Sequence, residues 1–170
     1  MEMGHTSEMA HQAMIEELEK LFEGKEYSGQ EGPKPLKIFK QFEPIPTDND
    51  EDTDTNAANC PCIICKLLSG NFAASGEAQL LMFRLAIAAY DRDVSRQGYT
   101  DVVNIKEAIT QHFLAEPSFG GSFVVQYPMA WAIQEESTVP YYWGVVNFYV
   151  SAPARKNTQV EDLKIGRAHV

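Results

Sequence analysis

Residues 122–151 read SFVVQYPMAWAIQEESTVPYYWGVVNFYVS, and this stretch decides the fold. In its first run, Phe123, Val125, Tyr127, Met129, Trp131 and Ile133 occupy the odd positions. The even positions, Val124, Gln126, Pro128, Ala130, Ala132 and Gln134, are smaller or polar. Alternation with period two marks a strand with two unlike faces. The second run, Tyr141 to Ser151, is aromatic and β-branched on both faces, and a polar turn ending in Val139-Pro140 joins the two. A lone hairpin is marginal in water, so the other elements must supply further strands or helices to cover it.

Working outward, Thr100-Asp101 presents an N-cap residue and an acid for a helix whose stripe is Val102, Ile105, Ile109 and Phe113, stopped by Pro117. Before it, Leu80 to Tyr90 is apolar at nearly every position. Periodicity alone would allow a buried helix there; its length and the flanking Gly76 and Asp91 favour a central strand. Cys62 to Leu68 reads as another strand, closed by Ser69-Gly70. Near the N-terminus, Met14, Ile15, Leu18, Leu21 and Phe22 recur at helical spacing, with Gly24 as the stop. Pro33 and Pro35 break the chain before a short extended piece, Leu36 to Phe39. The expected fold is α+β, a mostly antiparallel four-stranded sheet with two helices on one face, in the order α-β-β-α-β-β. Residues 1–11 are expected to be a flexible N-terminus, 12–153 a single domain, and 43–59 a mobile acidic loop within it. Residues 154–170 read as a disordered tail. Its end, KIGRAHV (residues 164–170), is the translation of a sequence resembling a sequencing-library adapter and reads as read-through.

A chain of 170 residues, 44% hydrophobic and 22% charged, has the composition of a soluble globular domain. Its net charge of −10 argues against binding a nucleic-acid backbone. Six of those charges, Glu43, Asp48, Asp50, Glu51, Asp52 and Asp54, lie in the acidic loop. No apolar run approaches the roughly 20 residues that span a bilayer. The opening MEMGHTSEMAHQ lacks the pattern of an export signal, and three cysteines packed into six residues make no disulfide framework, so a reducing, intracellular place of folding is expected.

Cys60, Cys62 and Cys65 form the densest chemistry-like cluster. A zinc site wants four ligands, and no second CxxC exists. On a strand, Cys62 and Cys65 point to opposite faces, so buried cysteines acting as small apolar residues are the better reading. A thiol- or metal-dependent function of the three remains the alternative. Asp48 to Asn56 alternates oxygens like a calcium loop, but Thr53 stands where a glycine is needed and Asn59 where a bidentate Glu is needed. His112 on the second helix reads as structural. Glu135-Glu136 read as exposed turn charges, and no nucleophile motif is present. Two helices can cover only one face of the sheet. The surplus aromatics, Tyr141, Tyr142, Trp143, Phe148 and Tyr149, must therefore pack under the Pro-rich segment or form a protein interface.

Taken together, PLKIFKQFEPIP, CPCIICKLLSG, the apolar strand ending AAYDRD, QGYTDVVNIKEAITQHFL, GGSFVVQYPMAWAIQEE and PYYWGVVNFYVSAP resemble a family of small tailed-phage and prophage proteins from Gram-positive hosts. The resemblance spans residues 12–153 and includes no catalytic motif. It implies a non-enzymatic virion structural protein of the neck or tail, a tail terminator or head–tail completion subunit. It also implies closure into a ring, commonly a hexamer, without a cofactor. The implied partners are other copies of the chain, tail-tube proteins and head–tail connector proteins, met in the host cytoplasm and retained in the virion neck or tail. The ring would place Trp131, Tyr141, Tyr142, Trp143 and Tyr149 at subunit contacts.

Overall fold

The computed structural model describes residues 5–44, 55–93 and 95–154. The calcium-like run is mostly outside the described residues, as are 155–170, including the adapter-like end. The elements run α1 (Ser7–Leu21), β1 (Glu26–Gly29), β2 (Gly32–Pro35), β3 (Lys37–Lys40), α2 (Thr55–Asn59), β4 (Cys62–Phe72), β5 (Gln79–Tyr90), α3 (Gln97–Ala115), β6 (Ser118–Phe119), β7 (Phe123–Ile133) and β8 (Tyr141–Ala152).

This corrects the expected four-stranded antiparallel sheet. The main sheet has six strands in the order β3-β4-β5-β8-β7-β6, and it is mixed because β3 runs parallel to β4. A separate antiparallel ribbon joins β1 to β2. The four expected strands form its antiparallel centre, β4-β5-β8-β7. The extra strands arise where the prolines suggested a break. Pro33 and Pro35 fit in β2 because its single partner leaves its other edge free of ladder bonds. The piece after them pairs Lys37–Lys40 with Cys62–Cys65. Past β3, the Gln41 side-chain amide continues the edge: its Oε1 accepts from Leu67 N at 2.8 Å and its Nε2 donates to Leu67 O at 3.1 Å.

Strand parity sorts the core. Odd residues of β5 and even residues of β8 face the two long helices, through pairs such as Phe83 with Phe148 and Leu85 with Val146. Met14 and Leu18 of α1 and Val102, Ile105, Ile109 and Phe113 of α3 close over them in one apolar cluster. Each such side chain, once fully buried, contributes about 1.5–3 kcal/mol of transfer free energy. Gly144 on β8 allows the close approach of α3: a Cβ there would lie 3.1 Å from Val102 Cγ1 and 2.7 Å from Ile133 Cδ1.

Both helices begin earlier than their sequence signals suggest. α1 starts at Ser7, within the segment expected to be loose, because the Thr6 hydroxyl caps Met9 N at 3.1 Å and Ala10 and His11 are already buried. His11 Nε2 donates to the Cys65 carbonyl at 2.8 Å, which ties α1 to β4. α3 starts at Gln97 rather than at Thr100. Asp91, six residues upstream, accepts from Gly98 N at 2.8 Å and so takes the capping role read for Thr100. Asp101 is instead buried and accepts from Ser28 N, Ser28 Oγ and Gln97 Nε2 at 2.7, 2.5 and 2.9 Å, pinning the ribbon to α3. Burial, and then the Asp101 charge, raise the Tyr27 phenol above its usual pKa.

Candidate functional site

The side of the sheet away from α1 and α3 carries the other parity. β5 places Leu80, Met82, Arg84, Ala86 and Ala88 there, opposite Ser151, Tyr149, Asn147, Val145 and Trp143 of β8. Beyond β8, Val124, Gln126, Ala130 and Ala132 of β7 extend the face, and on the other flank of β5 it continues through Cys62, Ile64, Lys66, Ser69 and Asn71 of β4. Apart from Arg84, whose Nε donates to Asn147 Oδ1 at 2.9 Å, the β5 and β8 side chains are mainly apolar or aromatic. Trp143 and Leu80 are 45% and 40% exposed. The described residues place only α2 on this face, at one end, where Ala57 and Cys60 bury Tyr90 against Ala88 and Tyr141. Trp143 is held in place: its N–H donates to Gln134 Oε1 at 2.6 Å, and Gln134 N donates back to its carbonyl at 3.2 Å.

The five aromatics expected at one contact are divided by the fold. Trp143 and Tyr149 lie on the open face, and Tyr141 sits at its α2 end, stacked edge-on to Tyr90 at 5.2 Å. Tyr142 is 4% exposed in the helix-side core, which removes it from any such surface. Trp131 has the helix-side parity, paired with Val146, yet is 55% exposed at the sheet margin with Lys106 Nζ 3.9 Å above its ring. That margin is a second surface. β6 covers only Phe123 and Val124 of β7, and further along Tyr127 is 65% exposed beside an irregularity between Gln126 and Ala130. Leu80 and Met82 were missed as surface residues because β5 is apolar on both faces, as a strand buried on both sides would be.

The three cysteines do not converge on one point, although Cys60 and Cys62 touch each other. Cys60 and Cys62 lie toward the α2 side, Cys65 in the main core beneath α1, and all three are buried and unoxidised. The contact with Cys60, then burial, push the Cys62 thiol far up; burial pushes that of Cys65 up to about 12. Protonated, buried thiols are poor ligands and nucleophiles. Among the described residues no group of three or more His, Cys, Asp or Glu could hold a metal. His112 Nε2 meets Glu17 Oε1 at 2.8 Å, a bridge between α3 and α1. Glu135 and Glu136 sit in the β7–β8 turn, at the rim of a cavity of about 260 Å³ beside the start of α3. No described helix is long and apolar enough to cross a membrane.

No protein-family model matches the chain, and no curated protein matches it significantly.

Proposed function

We propose that the chain is a virion structural protein of a tailed phage or prophage, a ring-forming tail terminator or head–tail joining subunit that acts by protein–protein assembly. The observation that carries this reading is the open sheet face, where Leu80, Met82 and Tyr149 form one apolar group and Val145 and Trp143 another, on either side of the Arg84–Asn147 pair, with only α2 among the described residues at its end. Large apolar and aromatic side chains left uncovered around a polar pair mark a contact with another protein. A ring needs two different surfaces per subunit, because a head-to-tail contact joins unlike patches and closes when its rotation divides the circle. The β7 margin, with Tyr127 and Trp131, is the second one. Two unlike aromatic surfaces on a single subunit are what such a contact uses. They agree with the resemblance carried by residues 12–153, which has tail-tube and connector proteins as further partners.

Sedimentation velocity across a concentration series, with negative-stain imaging of the heaviest species, tests the reading. Closed rings of one size are expected. A chain that stays monomeric at the highest attainable concentration, or that forms only two-fold dimers, overturns it.

A further inference from the structure

Two segments of the main sheet have no ladder partner on their outer side among the described residues. On β4, β3 pairs only Cys62–Cys65 and the Gln41 side chain serves Leu67, which leaves the outer edge of Ser69–Phe72 open. On β7, β6 pairs only Phe123 and Val124 and Pro117 O accepts from Val125 N, which leaves the outer edge of Ala130–Ile133 open. Gln134 N donates to Trp143 O, so by strand alternation Ala132 also turns its N–H towards β8, while Trp131 and Ile133 turn theirs outward. Soluble proteins blunt such edges with charge, proline or a covering element. The other edges here follow that rule. β3 carries Lys37 and Lys40, β2 carries Pro33, Lys34 and Pro35, β1 gives Ser28 N to Asp101, and Pro128 interrupts β7 before Ala130. Ser69–Phe72 and Ala130–Ile133 contain neither a charge nor a proline, and Phe72 and Trp131 are 67% and 55% exposed.

We propose that these two edges pair with each other between copies of the chain, β7 of one subunit adding antiparallel to β4 of the next. This contact rests on the ring-forming reading above and names the surfaces that close the ring, the β7 margin and the β4 flank of the open face. The strand directions allow it: β4, β5, β8 and β7 alternate, so β7 runs antiparallel to an incoming β4. The two edges are unlike and lie on opposite flanks of one sheet, as a head-to-tail contact requires. If the open face stays on one side, Ala132 pairs with Ser69 or Asn71 and never with Gly70 or Phe72, because side chains alternate. Ala132 lies level with Ala86 of β5, and Ser69 and Asn71 with Met82 and Leu80, a stagger of four or six residues. At about 3.3 Å per residue that is roughly 13 or 20 Å, across a four-strand repeat roughly 19 Å wide. The strands then incline by about 35–45° to a ring axis, the tilt at which β-sheets close on themselves.

Cysteine cross-linking of the full chain tests the contact, with sedimentation velocity on the same samples. Ala132→Cys is combined in turn with Asn71→Cys, Ser69→Cys and Phe72→Cys, and each pair is oxidised with copper phenanthroline under assembly conditions. Asn71→Cys or Ser69→Cys is expected to give a ladder of covalent oligomers on denaturing gels. The Phe72→Cys pair and the single variants should give a far weaker one. Ala132→Lys, which blunts the edge at an exposed position, should raise the concentration needed for assembly at least tenfold with the melting temperature unchanged. Wild-type rings without a cross-link from either of the first two pairs, or an equal ladder from the Phe72→Cys pair, overturn this contact and leave ring formation standing. Wild-type-like assembly of Ala132→Lys does the same. A chain that never assembles overturns ring formation and this contact together.

Discussion

Trp143→Asp is the sharpest probe of the open sheet face. Trp143 retains 45% of its accessible surface in the isolated subunit. An aromatic side chain of this size presents up to about 250 Å². The part still available to a neighbour is therefore roughly 110 Å², which at about 25 cal/mol per Å² amounts to about 2.8 kcal/mol. Losing it lowers the association constant about 100-fold per contact. A carboxylate in a desolvated contact adds to that loss. Folding should change much less, because the ring projects from the uncovered side and the Gln134 clamp uses only the Trp143 backbone. The assay pairs sedimentation velocity of wild type and variant with urea denaturation of each. The expected outcome is loss of the assembled species at concentrations where wild type assembles, with a denaturation midpoint close to wild type. Wild-type-like association of Trp143→Asp would refute the assignment of this face. A large drop in stability would show that the side chain belongs to the core.

Asp101→Ala leaves Ser28 N, Ser28 Oγ and Gln97 Nε2 without their acceptor, and should cost about 2–4 kcal/mol in urea denaturation, with hydrogen exchange rising first in the β1–β2 ribbon. Gly98→Ala places a Cβ 2.5 Å from Tyr142 Cδ2 and 2.9 Å from Asp91 Cβ, so overpacking of about 1–3 kcal/mol should lower the melting temperature. The Cys65 thiol, pushed up to about 12 in the fold from 9.0, binds its proton more tightly than in the unfolded chain. Its contribution to stability is thus complete below pH 9 and falls as pH rises from 9 towards 12, where the unfolded thiol ionises first. Denaturation midpoints across that range should decline less in Cys65→Ala than in wild type. Iodoacetamide should label the three native cysteines far more slowly than the urea-unfolded ones at pH 8.

Much of the architecture can be read from local pattern. The stripe Val102, Ile105, Ile109 and Phe113 is the buried face of α3, and Met14 and Leu18 are that of α1. The stretch 80–90, open to two readings by periodicity, is a strand. The separation of Cys62 from Cys65 follows from strand parity alone. Other features depend on partners distant in the chain. Lys37–Lys40 becomes a strand because Cys62–Cys65 lies beside it, more than 20 residues later. Asp101 carries the marks of a first-turn acid yet is buried against Ser28, 73 positions away.

The candidate surface divides in the same way. The sequence by itself determined that Tyr141–Ala152 is a strand and that its aromatics exceed what one covered face can hold, because composition and period are local properties. It could not rank Tyr142 against Trp143: both neighbours are large and aromatic, so alternation carries no sign. Only the tertiary structure decided between them, by setting Tyr142 opposite Ala89 under the helices and Trp143 opposite Ala88 on the open side. A register is a relation between two strands, and a shift of one residue would exchange those roles.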